Sequence, residues 1–238
     1  HIGTGNYNSE TAKGYVDLGM MTADPEIGHD LVKLFNFFTG PTLDEEFKKL
    51  LVAPVTMRTE FTELIRRERA LAEAGEGGRI VAKVNGLEDP DIVAELYRAG
   101  MAGVDIDLIV RDICRLRPGI EGISETITVH SVVGRFLEHS RIFYFGNGDD
   151  PEWYLGSADW MTRNLDNRVE AIAPVTDDRL RGQLQFILET MLSDNRRRWL
   201  LQADGSYQQV TPDEDEAVRD TQSLLMEQAY RTATQDGE

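Results

Sequence analysis

An α/β fold is predicted for this chain by three observations. Two apolar runs, RIVAKV at 79–84 and VDIDLIV at 104–110, bracket a helical pattern, IVAELYRAGMAG, opened by Asp89 and Pro90. That succession is the β-α-β rhythm of an α/β domain. A second pair of runs, 142–145 and 153–160, stands on either side of the polar turn GNGDDPE and implies an antiparallel hairpin. Finally, 41% hydrophobic content in 238 residues supplies a sizeable core, while no run of eighteen apolar residues exists to span a membrane.

The elements follow in order. HIGTGNYN reads as a strand end and a glycine turn, with a strand next from about Tyr15 to Met21. Asp24, Pro25 and Glu26 supply an N-cap, a first-turn proline and an early acid. The helix they open carries Ile27, Leu31, Leu34, Phe35 and Phe38 on one face and closes at Gly40-Pro41. The polar run TLDEEFKK leads to LLVAP, a strand that begins a new domain, so the boundary is placed near residue 48. A helix from about Thr59 to Ala74 presents Phe61, Leu64, Ile65, Glu68 and Leu71 as a stripe and stops at GEGG. Beyond the β-α-β unit come a strand at 127–133, the hairpin, a strand at 168–174, a helix at 177–194, a short hairpin in WLLQADGSYQQV and a terminal helix from about Asp213.

Composition narrows the function. A net charge of −17 repels polyanions at long range and does not suit general nucleic-acid binding. Acid collects in PDEDEAVRD and QDGE, whereas the centre offers Arg111, Arg115, Arg117, Arg135, Arg141, Arg163 and Arg168. The single cysteine, Cys114, forms no internal disulfide, and no His or Cys cluster has metal-ligand spacing. The start has neither the basic flank nor the apolar centre of a signal peptide, so the expected location is cytoplasmic. The missing initiator Met leads us to expect a fragment.

The stretch RFLEHSRIFYFGNGDDPEWYLGSADW, residues 135–160, concentrates the chemistry. His139 and Arg141 are one residue apart, so in an extended segment they share a face, one group to exchange a proton or phosphoryl group and one to clamp an anion. A structural or exposed histidine is the bland alternative. Arg111 stands just past the carboxyl end of a strand, where open α/β sheets place ligands; it either clamps phosphate or pairs with Asp107 or Asp112. Lys83, among alternating valines, is expected to face solvent rather than an anion. His29 and His130 lack such company and are read as structural.

HIGTGNYNSETAKGYVDLGMMTADPEIG, LLVAPVTMR, GISETITVHSVVGRFLEHSRIFYF and YLGSADWMTRNLDNRVEAIAPV together resemble the C-terminal third of bacterial polyphosphate kinase. The resemblance implies a phospholipase D-like mixed sheet flanked by helices, in two related α/β domains that face each other across one active site. Residues 1–48 would be the end of the first domain and 49–238 the second. It implies an ATP:polyphosphate phosphotransferase acting reversibly through a phosphohistidine, with magnesium, arginines and a second histidine around the transferred group. The nucleophile and the magnesium ligands would lie upstream of His1, leaving this chain inactive alone. Tyr15 matches the family tyrosine that contacts nucleotide, Arg111 its ATP-binding arginine and His139 its second essential histidine. Arg141 would bind phosphate beside them, with Thr4, Gly5 and Asn6 adding donors from the opposing half. ATP or ADP and inorganic polyphosphate are the implied partners, and a homodimer the implied assembly.

Two rivals remain. A phospholipase D-type phosphodiesterase requires His-x-Lys and a later Asp, where this sequence has Arg141 and Gly146. The other is a non-catalytic fragment that still holds nucleotide or polyphosphate.

Overall fold

The computed structural model describes residues 1–40 and 46–235, so part of the polar run that follows the first helix lies outside the described residues. The chain opens with β1 (Ile2–Gly3), a 3-10 turn at Thr11–Lys13, β2 (Tyr15–Val16), β3 (Gly19–Met20) and α1 (Pro25–Thr39). It continues through β4 (Leu51–Ala53), α2 (Met57–Glu73), β5 (Arg79–Val84), α3 (Pro90–Met101), β6 (Asp105–Val110) and β7 (Ile127–Val132). After β8 (Leu137–Glu138), β9 (Ile142–Phe145) and β10 (Glu152–Gly156), a wide helical turn at Arg163–Asn167 leads into β11 (Glu170–Pro174). The remainder is α4 (Asp178–Ser193), β12 (Arg198–Leu201), β13 (Tyr207–Gln209) and α5 (Thr221–Gln235).

Among the described residues the main sheet has nine strands in the order β13-β12-β7-β6-β5-β9-β10-β11-β4. The pairs β5/β6 and β6/β7 are parallel, β9 runs antiparallel to β5, and β10 runs antiparallel to β9. The sheet is therefore mixed, as expected for this α/β chain. Its polarity decides where chemistry can sit. The carboxyl ends of β5 and β6, the start of β9 and the end of β10 all reach the same edge.

Both faces are covered. Ile80, Ala82 and Val84 of β5 pack with Phe61 and Ile65 of α2 and Ile92 and Leu96 of α3. Val81, one residue out of phase, joins Leu184, Leu188 and Met191 of α4 and Ile27 and Leu34 of α1. This second layer corrects the expectation for Lys83: it shares the Val81 face, which is covered, and is only 1% exposed. A strand buried on both faces leaves no solvent side for a lysine.

Polar clamps tie the ends together. Asp24 caps α1 by accepting from the amides of Glu26 and Ile27, and Asp89 caps α3 in the same way through Asp91 and Ile92. Asp30 of α1 is fully buried, and its carboxylate accepts from the amides of Lys48, Lys49 and Leu50 at 2.7–3.0 Å. A buried carboxylate needs such donors, and here they lock the first helix onto the chain entering β4.

Two boundaries and one buried face differ from expectation. The strand placed at Tyr15–Met21 is broken into β2 and β3, because Asp17 and Leu18 between them turn to bond Thr4. The terminal helix begins at Thr221 rather than near Asp213. The acidic stretch ahead of it makes a turn at Asp213–Glu216 and is then held outside a helix, with Asn195 bonding Arg219 and Ala217 and Asp194 accepting from the Thr221 amide. On α1, Ile27 and Leu34 are buried, whereas Phe35 and Phe38, at the flank of the stripe, are 64% and 58% exposed.

Candidate functional site

A cavity of about 300 Å³ opens at the sheet edge where β5, β6, β9 and β10 converge, lined by Asn85, Arg111, His139, Arg141, Asp159, Arg163 and Arg168 among others. Arg111 follows β6, and Asn85 follows β5. Asp159 follows β10 and is fixed by its neighbour Trp160, which is fully buried against Phe61 and Phe143 with ring centroids 5.5 and 5.2 Å away. The SADW turn is thus anchored in the core by its indole and presents its carboxylate to the site.

Asp159 organises the interior. One oxygen accepts from the Asn85 amide at 2.6 Å and from Arg141 Nε at 3.2 Å, and the other takes Arg141 Nη2 at 2.8 Å. Arg141 is 7% exposed and Asp159 3%, so the fork is a buried ion pair. The remaining Arg141 nitrogen donates to the carbonyls of Thr4 at 2.7 Å and His139 at 3.0 Å. Its donors are largely spent within the protein, which makes Arg141 a brace between the first twenty residues and β9.

His139 is held from the opposite side. Nδ1 lies 2.8 Å from Asp17 Oδ1, which also accepts the Thr4 hydroxyl at 2.8 Å. The His139 amide donates to the Val16 carbonyl at 3.0 Å, extending the parallel pairing of β2 with β8. With Nδ1 given to a carboxylate, Nε2 carries the lone pair, 3.3 Å from Arg141 Nη1. Burial, and then the neighbouring Arg141, lower the His139 pKa below its ordinary value, against the pull of Asp17. The shift favours the neutral imidazole, whose Nε2 can accept a proton. Tyr15 stands edge-on to this ring, centroids 5.2 Å apart, and is 39% exposed.

Arg111 takes neither Asp107 nor Asp112. Asp107 is occupied by His130 Nε2 at 2.8 Å and by Arg79, and Arg111 instead gives Nε to Asn85 Oδ1 at 3.1 Å, with no ion pair among the described residues. Its terminal nitrogens therefore face the cavity beside the exposed Arg163 and Arg168. His130 is buried on Asp107 and has the structural role expected of it, and His29 is exposed on α1.

Of the residues singled out in the sequence, Arg111, His139 and Arg141 line this cavity; Tyr15 lies outside it, on a neighbouring cavity lined also by Gly5, Asn6 and Asp17, and reaches the site through its ring contact with His139. Sequence reasoning missed Asp17, Asn85 and Asp159. Asp159 carried a signal, because an acid beside a tryptophan after a Gly-Ser turn reads as anchored rather than solvated; Asp17 and Asn85 carried none. Gly5 contributes through what it lacks. A Cβ there would lie 2.1 Å from Asp17 Oδ2, inside the support of His139.

The chain is an α/β protein that brings one histidine and four arginines, Arg111, Arg141, Arg163 and Arg168, to one edge of its sheet. Comparison with known proteins is specific. The pattern described as polyphosphate kinase C-terminal domain 2 matches residues 50–222, and that described as polyphosphate kinase C-terminal domain 1 matches residues 1–44. The chain belongs to the polyphosphate kinase family. It is 56% identical over 228 residues to the polyphosphate kinase of Parasynechococcus marenigrum, covering 96% of this chain and 32% of that protein. With the polyphosphate kinase of Synechocystis sp. it shares 54% identity over 238 residues, covering 100% of this chain and 33% of that protein. The crystal structure of polyphosphate kinase from Porphyromonas gingivalis superposes with a TM-score of 0.91 at 39% identity, covering 99% of this chain and 36% of that one. The chain thus spans about a third of the length of the curated relatives it matches.

Proposed function

We propose that this chain forms one wall of the phosphoryl-transfer site of an ATP:polyphosphate phosphotransferase, which reversibly moves the terminal phosphate of ATP onto inorganic polyphosphate. The observation that carries this reading is an imidazole, His139, buttressed by Asp17 and lining a cavity that Arg111, Arg141, Arg163 and Arg168 also line. Phosphoryl transfer is mainly positioning and charge stabilisation. Arg111 binds nonbridging phosphate oxygens, His139 Nε2 handles a proton or hydrogen-bonds the transferring group, and the exposed Tyr15 ring receives the nucleotide. Arg141 acts by holding His139 and by adding positive charge below the phosphates. The phosphohistidine itself forms on a histidine upstream of this chain.

The residues present do not fit a magnesium ion. Among the described residues no three His, Cys, Asp or Glu side chains gather at ligand spacing, and Asp159 in the cavity is already forked by Arg141. In this proposal magnesium enters with the nucleotide, on ligands outside the chain. Residues 1–48 belong to one catalytic domain and 49–238 to the next, and the complete enzyme is a cytoplasmic homodimer. Among the described residues no helix is long and apolar enough to cross a membrane.

The test is His139→Ala in the full-length enzyme. Loss of a positioned acid-base group costs about 10²–10⁴-fold, so polyphosphate synthesis from ATP should fall by at least about a hundredfold; a native rate refutes the role of His139.

A further inference from the structure

The face of β5 that looks toward α4 does something the proposed chemistry does not use. Lys83 Nζ donates to the Ser140 carbonyl at 2.7 Å. Two residues on and on the same face, Asn85 Nδ2 donates to the His139 carbonyl at 3.3 Å while its Oδ1 receives Arg111 Nε. Strand pairing between β5 and β9 ends at Lys83 and Ile142. The carbonyls of His139 and Ser140 fall past that ladder, in a buried place where an unpaired acceptor is costly. Lys83 of β5 supplies the donor to the Ser140 carbonyl, and Asn85, just past the strand, adds a second donor to the His139 carbonyl that Arg141 already serves.

We infer that Lys83 is a positioning residue for phosphoryl transfer: with Asn85 it clamps the two carbonyls that follow the His139 side chain, and so holds His139 and Arg111 in one frame. This rests on the role of His139 proposed above. A lysine suits the place because it adds charge as well as a donor. The charged groups around it are Glu138 of β8, Arg141 ahead of β9, Asp159 after β10 and Arg111 after β6. Burial lowers its pKa to about 7, so its charge changes within the working range of a neutral enzyme. In its protonated form it reinforces the cationic wall that receives phosphate.

Lys83→Met, nearly the same in shape, removes donor and charge and leaves an apolar chain in an apolar layer. Full-length enzymes carrying Lys83→Met, Lys83→Arg, Asn85→Ala and His139→Ala are compared for ATP-dependent polyphosphate synthesis between about pH 6 and pH 9, a range spanning the unperturbed histidine value. Small misplacements of reacting groups cost up to about a hundredfold. Lys83→Met and Asn85→Ala should lose about tenfold or more in kcat per folded molecule, with KM for ATP within about twofold. Lys83→Arg should recover part of the loss. The decline of kcat/KM as pH rises through 7 in the parent enzyme should be absent from Lys83→Met. If His139→Ala is as active as the parent, the reading of the site fails and this inference with it. If His139→Ala is inactive while Lys83→Met keeps the parental kcat and pH profile, only the inference on Lys83 fails. A Lys83→Met loss that matches its loss of folded protein, with kcat per folded molecule unchanged, overturns it equally.

Discussion

Asp159→Ala should unfold this chain far more readily than any exposed substitution, and the reason can be worked from the site. The mutation leaves the Arg141 guanidinium, 7% exposed, without its carboxylate partner, and deprives the Asn85 and Gly86 amides of the same acceptor. Breaking a buried ion pair from one side costs about 3–5 kcal/mol. In a domain of this size each kcal/mol moves the melting midpoint by about 2–4 °C, so the midpoint should fall by about 6–20 °C. The assay is urea denaturation of the 238-residue chain followed by intrinsic tryptophan fluorescence, with thermal melts in parallel. The double variant Arg141→Met, Asp159→Leu should recover part of the loss, because it removes the stranded charge while leaving the Asn85 and Gly86 amides without their acceptor. A single Asp159→Ala within about 1 kcal/mol of the parent, well below the cost of a broken buried pair, would show that the fork carries little net stability and refute the reasoning.

Three further outcomes are expected. Asp30→Ala strips the acceptor from the amides of Lys48, Lys49 and Leu50; hydrogen bonds to a charged group are worth about 1.5–3 kcal/mol, so urea stability should drop by at least that much, with faster amide exchange at Leu50. Gly5→Ala drives a methyl into the Asp17 carboxylate, which His139 and Thr4 already pin; full-length enzyme carrying it should lose activity while melting near the parental temperature. Lys83 lowers its pKa to about 7 from an ordinary 10.5, so between those values the folded chain binds fewer protons than the unfolded one. Its contribution to stability therefore rises as pH increases across that interval, and a comparison of denaturation midpoints at successive pH values should find this slope missing in Lys83→Met.

The elements were legible wherever a local signal sufficed. Asp24-Pro25 and Asp89-Pro90 announced the starts of α1 and α3, and each aspartate does cap its helix. The limits of β5 were read without error from a Val- and Ile-rich run between GEGG and Asn85. Where reading failed, a distant partner had intervened. α5 starts late because Asn195 and Asp194, more than twenty residues away in sequence, hold the chain ahead of it. Lys83 was misplaced because period two tells which residues share a face but not whether that face is covered.

The chain by itself determined the α/β class, the hairpin that follows His139, and through its motifs the family and the candidates Tyr15, Arg111, His139 and Arg141. Those depend on spacing and residue type, which are local properties. Tertiary structure alone decided that Arg141 is a brace forked on Asp159, that Asp17 holds the imidazole, and that a lysine from β5 supports the loop from behind. Each is a hydrogen bond or ion pair between segments 18 to 122 residues apart. Only the order and direction of the strands bring those segments to one edge of the sheet, and no local pattern encodes that order.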